Sequence, residues 1–278
     1  MDSSALIPQL IKIAREAGEV ILNIYNRPEP LTINFKTDDS PLTEADLAAH
    51  QLICTSLARL TPDIPVLSEE SPAYQIQERQ QWTRYWLIDP LDGTKEFIKR
   101  NGEFTVNIAL IENNTPTLGV VHAPVIQTSY AGCVRTRSAF KTQGQGRNIA
   151  LSTRTLTPFR PLALVISRSH CDPRIDAYIE QIRKQIPVSV TPMGSSLKLC
   201  LIAEGMADLH LRLGPTSEWD TAAAQAVLEA AGGLVCRFDY QPLQYNRSLS
   251  LINPDFIALG DPGFDWKHCL GHTANNLQ

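Results

Sequence analysis

The sequence predicts an α+β half followed by an α/β half, with the seam near residues 155–161. Three observations carry that expectation. Apolar residues near the start recur at helical spacing, and a run of short β-rich segments follows. Beyond Pro158 and Pro161, strands and helices alternate. The expected domains are therefore 1–157 and 158–278.

The first element is a helix. Apolar residues at 6, 7, 10, 13, 14, 17, 20, 21 and 24 follow the i, i+3, i+4 rule. Pro8 fits the first turn, where its missing N–H costs nothing, and Pro28 forbids continuation. A short strand, Leu31 to Lys36, leads into a polar loop over Thr37–Pro41. Thr43 reads as the N-cap of a second helix, with Leu47, Cys54, Leu57 and Leu60 on its apolar face and Pro62 beyond its end. The period then changes to short strands at Tyr85–Ile88, Thr105–Ile111, Leu118–His122 and Ser129–Cys133. Glu112-Asn-Asn-Thr-Pro separates the middle two as a hairpin loop should.

In the second half the order is strand Leu162–Ile166, helix Asp172–Lys184, strand Val188–Thr191, helix Ser196–Glu204, strand Ala207–Leu213 and helix Thr221–Ala231. Gly232-Gly233 can stop that last helix. No internal repeat is visible. The stretch from Asp261 to Gln278 lacks periodicity and reads as a loose tail.

Composition narrows the class. The 278 residues are 43% hydrophobic and 19% charged, which is ordinary for a globular chain and excludes wholesale disorder. A net charge of −4 argues against nucleic acid as a partner, because such proteins need a basic excess to displace counterions. No apolar run approaches the ~20 residues of a membrane-crossing helix. The start has no basic region ahead of its apolar part, as a secretory signal would. Six cysteines are scattered singly, with no Cys-x-x-Cys and no Cys/His cluster. They read as reduced thiols, so the expected location is cytoplasmic, with peripheral membrane contact left open.

The most informative segment is Tyr-Trp-Leu-Ile-Asp89-Pro90-Leu91-Asp92-Gly93-Thr94. A hydrophobic strand runs into two carboxylates three apart, and Pro and Gly force a turn around them. Carboxylates on such a turn can converge on one cation, with a backbone carbonyl between them joining in. Taken alone, it is also ordinary turn composition. Val66-Leu67-Ser68-Glu69-Glu70 is a second strand-like segment ending in acids. Glu218-Trp219-Asp220-Thr221 places another acid at a helix start, where Asp also serves as an N-cap. Four ionised carboxylates brought together would repel and desolvate at prohibitive cost without cations. Two or three hard divalent ions resolve that, and the implied chemistry is metal-assisted hydrolysis of a phosphate ester.

With LSEE before it and WDTAAAQAVLEAAGG after it, DPLDGTKEFI resembles the inositol monophosphatase superfamily of Mg²⁺-dependent, lithium-sensitive phosphatases. Lys95-Glu96-Phe97 departs from the asparagine-phenylalanine version usual in inositol phosphatases. Together with Val165–His170 and Gly194–Lys198, it is similar to the bacterial 3′(2′),5′-bisphosphate nucleotidases within that superfamily. The resemblance covers about residues 5–260. It implies a layered αβαβα sugar-phosphatase fold, with Glu69, Asp89, the carbonyl of Leu91, Asp92 and Asp220 as ligands of two or three Mg²⁺ ions. It also implies that Thr94 and Asp46 activate the attacking water. Without the resemblance, Asp46 is explained as the third residue of a capping box opened by Thr43. Glu70 is expected to hold water just outside the metals.

For the substrate, Glu69, Leu91, Asp92, Gly93, Thr94 and Asp220 are expected around the reacting phosphate. Gly194-Ser195-Ser196-Leu197-Lys198 opens a helix after a strand, so Ser195 and Lys198 suggest an anion site, although a plain serine cap fits equally. Arg212 and His170 are further candidates for a second phosphate or an adenine. Because Lys198 is remote in sequence from every metal ligand, its loss is expected to raise mainly KM. The implied reaction is removal of the 3′-phosphate from adenosine 3′,5′-bisphosphate, with its 5′-phosphosulfate analogue as a second substrate, in sulfur metabolism. The rivals are inositol 1-phosphate hydrolysis and a non-catalytic, nucleotide-responsive regulator. A small-molecule nucleotide is the expected partner, and no obligate protein partner is evident.

Overall fold

The computed structural model describes residues 3–29, 33–35, 41–157, 160–169 and 172–271. The first half runs α1 (Ile7–Tyr25), β1 (Ile33–Phe35), β2 (Pro41–Thr43), α2 (Glu44–Leu60), β3 (Val66–Ser68), α3 (Ala73–Glu78), β4 (Arg84–Asp92), α4 (Thr94–Ile98), β5 (Thr105–Glu112), β6 (Thr115–Ala123), β7 (Thr128–Cys133), β8 (Ser138–Gln143) and β9 (Ile149–Ala150). The second half runs β10 (Leu162–Ser167), α5 (Pro173–Arg183), β11 (Val188–Met193), α6 (Leu197–Ala203), β12 (Leu209–Arg212), α7 (Glu218–Ala230), β13 (Leu234–Arg237), β14 (Phe256–Leu259) and α8 (Trp266–Leu270).

Strands β3 to β9 lie side by side in chain order as one seven-stranded sheet, and the second sheet has the order β11-β10-β12-β14-β13. Period-two alternation on β4 shows how the layers stack. Trp86 and Ile88 pack with α1 and α2, whereas Tyr85 and Leu87 join the core shared with α6 and α7. The second sheet covers the other side of α6 and α7 with Val165, Val235 and Ala258. Its outer face packs Leu164, Leu211 and Ile257 against α5 and α8. Five layers result, helix–sheet–helix–sheet–helix, as the resemblance implies.

The middle helix layer is set by small residues. Ala222, Ala223, Ala224 and Ala226 of α7 are buried. At Gly119 on β6 a side-chain carbon would stand 2.1 Å from the Ala223 carbonyl oxygen. Helix α7 therefore lies almost on the sheet backbone, which fixes the height of its first turn. That turn carries Asp220.

The elements predicted from sequence fall largely where expected, including the hairpin turn, in which Asn113 and Asn114 take φ of +50° and +65°. Helix α7 starts earlier than predicted, at Glu218 rather than Thr221. Helices α3 and α4 and strands β2, β8, β9, β13 and β14 were not anticipated, because elements of two to six residues are too short for a period to register. The tail expectation is corrected for the same reason. Residues 266–270 form α8, with Trp266, Cys269 and Leu270 buried and the Trp266 indole N–H donating to the Asp261 carbonyl at 2.6 Å. The remainder of that tail, 272–278, lies outside the described residues, as do parts of the expected strand and loop over 31–40.

Candidate active site

Strand pairing brings the first acids together. β3 and β4 run parallel with Ser68 opposite Ile88, so Glu69 and Asp89 emerge side by side at the strand ends. The Glu69 N–H still donates to the Ile88 carbonyl at 3.0 Å. Pairing of β4 with β5 slips between Asp89 and Asp92, which frees Pro90 and Leu91 from the ladder. Asp89 Oδ1 accepts the Leu91 N–H at 3.0 Å, tightening that turn. Gly93, at φ +93°, then directs the chain into α4. Asp220 arrives from the other half of the chain. It is not the N-cap that the sequence suggested. Because α7 starts early, Ser217 takes the cap position, and Asp220, at the third helical residue, accepts the Ser217 N–H through Oδ2 at 2.9 Å.

These groups line one cavity of about 400 Å³ together with Leu91, Gly93 and Thr94. Their electrostatics are those of crowded anions. Burial, and then the charges of Glu69, Asp92, Asp220 and Asp46, raise the proton affinity of Asp89 well above the carboxylate range. Burial, Asp92 and Glu69 do the same to Asp220. Asp92 is raised by burial and held back by the Lys198 charge and by hydrogen bonds from Ser196 and Asn107.

Among the described residues no three Asp, Glu, His or Cys side chains stand close enough, as placed, to share one ion. Asp92 and Asp220 each turn one oxygen onto a donor of the surrounding turns. The fit to a hard cation rests instead on the donor chemistry. All the converging groups are oxygens, and their mutual repulsion is what positive charge would relieve.

Asp46 divides its two oxygens between two tasks. Oδ2 accepts the Thr43 N–H at 2.8 Å and the Thr43 hydroxyl at 2.6 Å, which completes the cap of α2. Oδ1 faces the cavity side, where the Thr94 hydroxyl lies 3.4 Å away and also 3.3 Å from the Leu91 carbonyl. The capping and catalytic readings are therefore compatible. Glu70 does not line the cavity. It sits on the turn after β3, and its charge is felt by the half-buried His50.

The same cavity is also lined by Ser195, Lys198 and Arg212. At the Gly194–Lys198 turn, α6 has seven residues, and the Ser196 N–H at its start donates to Asp92 Oδ2 at 2.6 Å. Lys198 is close to the acids despite its distance in sequence. Burial lowers its proton affinity, and Asp92 is the largest influence in the other direction. Its Nζ donates to the Ser195 carbonyl at 2.5 Å. Arg212 donates through one Nη to the Pro215 carbonyl at 2.7 Å. His170 lies outside the described residues.

The sequence pattern of the inositol monophosphatase family matches residues 2–268. The chain belongs to the inositol monophosphatase family. It is 49% identical over 255 residues to the 3′(2′),5′-bisphosphate nucleotidase CysQ of Salmonella typhimurium, covering 90% of this chain and 98% of that protein. It is 47% identical over 253 residues to the protein of the same name from Escherichia coli K12, with the same coverage. A crystal structure of CysQ from Bacteroides thetaiotaomicron, described as a bacterial member of the family, superposes with a TM-score of 0.78 at 41% identity. The match covers 89% of this chain and 94% of that one.

Three residues of this family member's site escaped the sequence reading. The Ser196 hydroxyl lies 2.6 Å from Asp92 Oδ2 and 2.7 Å from the Asp220 carbonyl, and accepts from Asn107 Nδ2 at 2.8 Å. His210 lines the cavity, with Nδ1 2.9 Å from the Val165 carbonyl. A carbonyl only accepts, so Nδ1 carries the proton. Burial and the Lys198 charge push the ring's pKa down to about 3, leaving Nε2 a bare acceptor. The available signal was a polar residue inside an apolar strand, Asn107 in TVNIALI and His210 in LHLR.

Proposed function

We propose that this chain is an Mg²⁺-dependent, Li⁺-inhibited 3′(2′),5′-bisphosphate nucleotidase. It removes the 3′-phosphate of adenosine 3′,5′-bisphosphate to give AMP and phosphate, with the 5′-phosphosulfate analogue as a second substrate, in sulfur metabolism. The observation that carries this reading is the mixed charge of one cavity. Glu69, Asp89, Asp92 and Asp220 line it together with Lys198 and Arg212, and the Lys198 charge acts on Asp92. The names of the relatives support the same substrate class. The free thiols Cys54, Cys133, Cys200, Cys236 and Cys269 are consistent with a reducing compartment, and no described helix is long and apolar enough to cross a membrane.

Residues Glu69, Asp89, Asp92 and Asp220 and the Leu91 carbonyl would hold the ions, Asp89 being the carboxylate most crowded by its neighbours. Mg²⁺ bound there supplies Lewis-acid polarisation of the phosphoryl oxygens and stabilises developing negative charge. The protein's own groups handle the proton. The Thr94 hydroxyl, donating toward Asp46 Oδ1, keeps lone pairs free to accept a hydrogen bond from an attacking water. As that water attacks phosphorus, its proton passes to Thr94 and the threonine proton to Asp46. The bond from phosphorus to the ribose 3′ oxygen breaks with its electron pair left on that oxygen, which takes a proton from solvent water; Asp46 returns its proton to solvent, and no covalent intermediate with the protein forms. Lys198 and Arg212 complement the negative charge of the substrate.

The test is phosphate release from a panel of adenosine 3′,5′-bisphosphate, its phosphosulfate analogue, inositol 1-phosphate and 4-nitrophenyl phosphate at one Mg²⁺ concentration. Preference for the bisphosphate supports the reading. Preference for inositol 1-phosphate would refute it.

A further inference from the structure

We propose that Glu103 is a positioning residue for substrate specificity: it fixes the two turns that face the nucleotide half of the substrate. This rests on the nucleotidase reading of the cavity. Glu103 does not line the cavity, but its carboxylate ties together two segments that lead into it. Oε1 accepts from Arg168 Nη2 at 2.6 Å, and Oε2 accepts from Arg168 Nε at 2.7 Å and from the Gly194 N–H at 2.7 Å.

Arg168 follows β10 and Gly194 follows β11, so one side chain from the first half of the chain clamps the ends of two neighbouring parallel strands in the second. Arg168 extends the clamp by donating to the Pro192 carbonyl at 3.0 Å. The anchor is firm because the next residue, Phe104, is buried against Tyr25 and Phe97. A second carboxylate from the same region, Glu96, accepts the Ser169 hydroxyl at 2.5 Å.

The consequence falls on Ser195. It lines the cavity at φ +48°, a left-handed conformation that a residue with a side chain keeps only when its surroundings enforce it. The neighbour that enforces it is Gly194. A side-chain carbon there would stand 2.8 Å from the Glu103 carbonyl oxygen and 2.8 Å from Glu96 Cγ, so the turn is pressed directly onto the clamp. Lys198 in turn donates to the Ser195 carbonyl. Glu103 therefore sets the place of the Ser195 turn where it lines the cavity.

The clamp is a bidentate arginine–carboxylate pair reinforced by a backbone N–H, a geometry that keeps its strength where a simple surface pair would not. The experiment compares wild type, Glu103→Ala, Arg168→Ala and the double variant on adenosine 3′,5′-bisphosphate and on 4-nitrophenyl phosphate, which has no nucleoside to place. The expected result is a roughly tenfold rise in KM for the bisphosphate, kcat within about twofold, and 4-nitrophenyl phosphate kinetics nearly unchanged. The double variant should be little worse than Glu103→Ala, because the pair is lost once in either case and only the Arg168 bond to the Pro192 carbonyl goes in addition. Should Glu103→Ala fold poorly, Arg168→Ala on the more exposed side of the pair carries the test alone. Equal losses on both substrates, or unchanged KM, would overturn the proposal. Wild type that fails to turn over the bisphosphate would instead overturn the nucleotidase reading.

Discussion

Ser196 and Asp92, from opposite halves of the chain, are joined twice: the serine N–H and its hydroxyl both reach Asp92 Oδ2 at 2.6 Å. The same hydroxyl lies 2.7 Å from the carbonyl of Asp220. One side chain thus spaces two acids that arrive on β4 and α7.

Ser196→Ala keeps the N–H bond and removes the hydroxyl bridge. Losing a hydrogen bond to a buried charged group costs roughly 1.5–3 kcal/mol, so kcat/KM should fall about ten- to a hundredfold on every phosphate ester alike. Steady-state kinetics on two unrelated esters checks this, and a loss confined to the nucleotide would mean that Ser196 acts on the substrate instead.

Asp89→Asn should separate repulsion from binding. In a chelator-treated sample, removing the most crowded carboxylate relieves its burial and its repulsion by four neighbours, so Tm should hold or rise. Added Mg²⁺ should stabilise wild type by mass action and the variant much less, with turnover lost. Calorimetric scans with and without Mg²⁺ give the answer. A Mg²⁺-induced rise equal to that of wild type would remove Asp89 from the ion site.

How much of this was readable in advance differs by residue. Glu69, Asp89 and Asp92 follow hydrophobic strand segments and Asp220 stands in the first turn of a helix, and each is visible one segment at a time. Asp46 was visible as a cap, and the structure adds that its second oxygen faces Thr94. The Glu103–Arg168 pair had no such signal, because 65 residues separate its partners and only sheet topology brings them together. Lys198 shows the opposite error. Its sequence distance suggested independence from the acids, whereas α6 packs under β10 and delivers it beside Asp92.

Lys198→Ala should consequently affect both large and small substrates, not KM for the nucleotide alone. The ammonium holds the proton affinity of Asp92 down. Without it Asp92 competes for protons at higher pH, so the acid limb of kcat/KM should move upward. A pH–rate profile that keeps its acid limb in place would show that the lysine does not act through Asp92.

His122, far from the cavity, sets acid stability. Burial, and then the Arg15 charge, lower its pKa from 6.5 to about 4, and its Nδ1 lies 3.0 Å from the Ser129 hydroxyl. The folded state therefore binds this proton later than the unfolded chain does. Its contribution is complete above pH 6.5 and is lost as pH falls toward 4, about 2–4 kcal/mol in all. Urea midpoints at pH 7 and pH 4.5 should drop less for His122→Gln than for wild type. Equal drops would mean that another group carries the acid sensitivity.

The nucleotidase reading is tested most directly by the product. Adenosine 3′,5′-bisphosphate, incubated with the protein and Mg²⁺ and followed by ³¹P NMR, should lose its 3′ resonance and leave 5′-AMP with inorganic phosphate. Formation of 3′-AMP, or no turnover of the bisphosphate while inositol 1-phosphate is consumed, would contradict it.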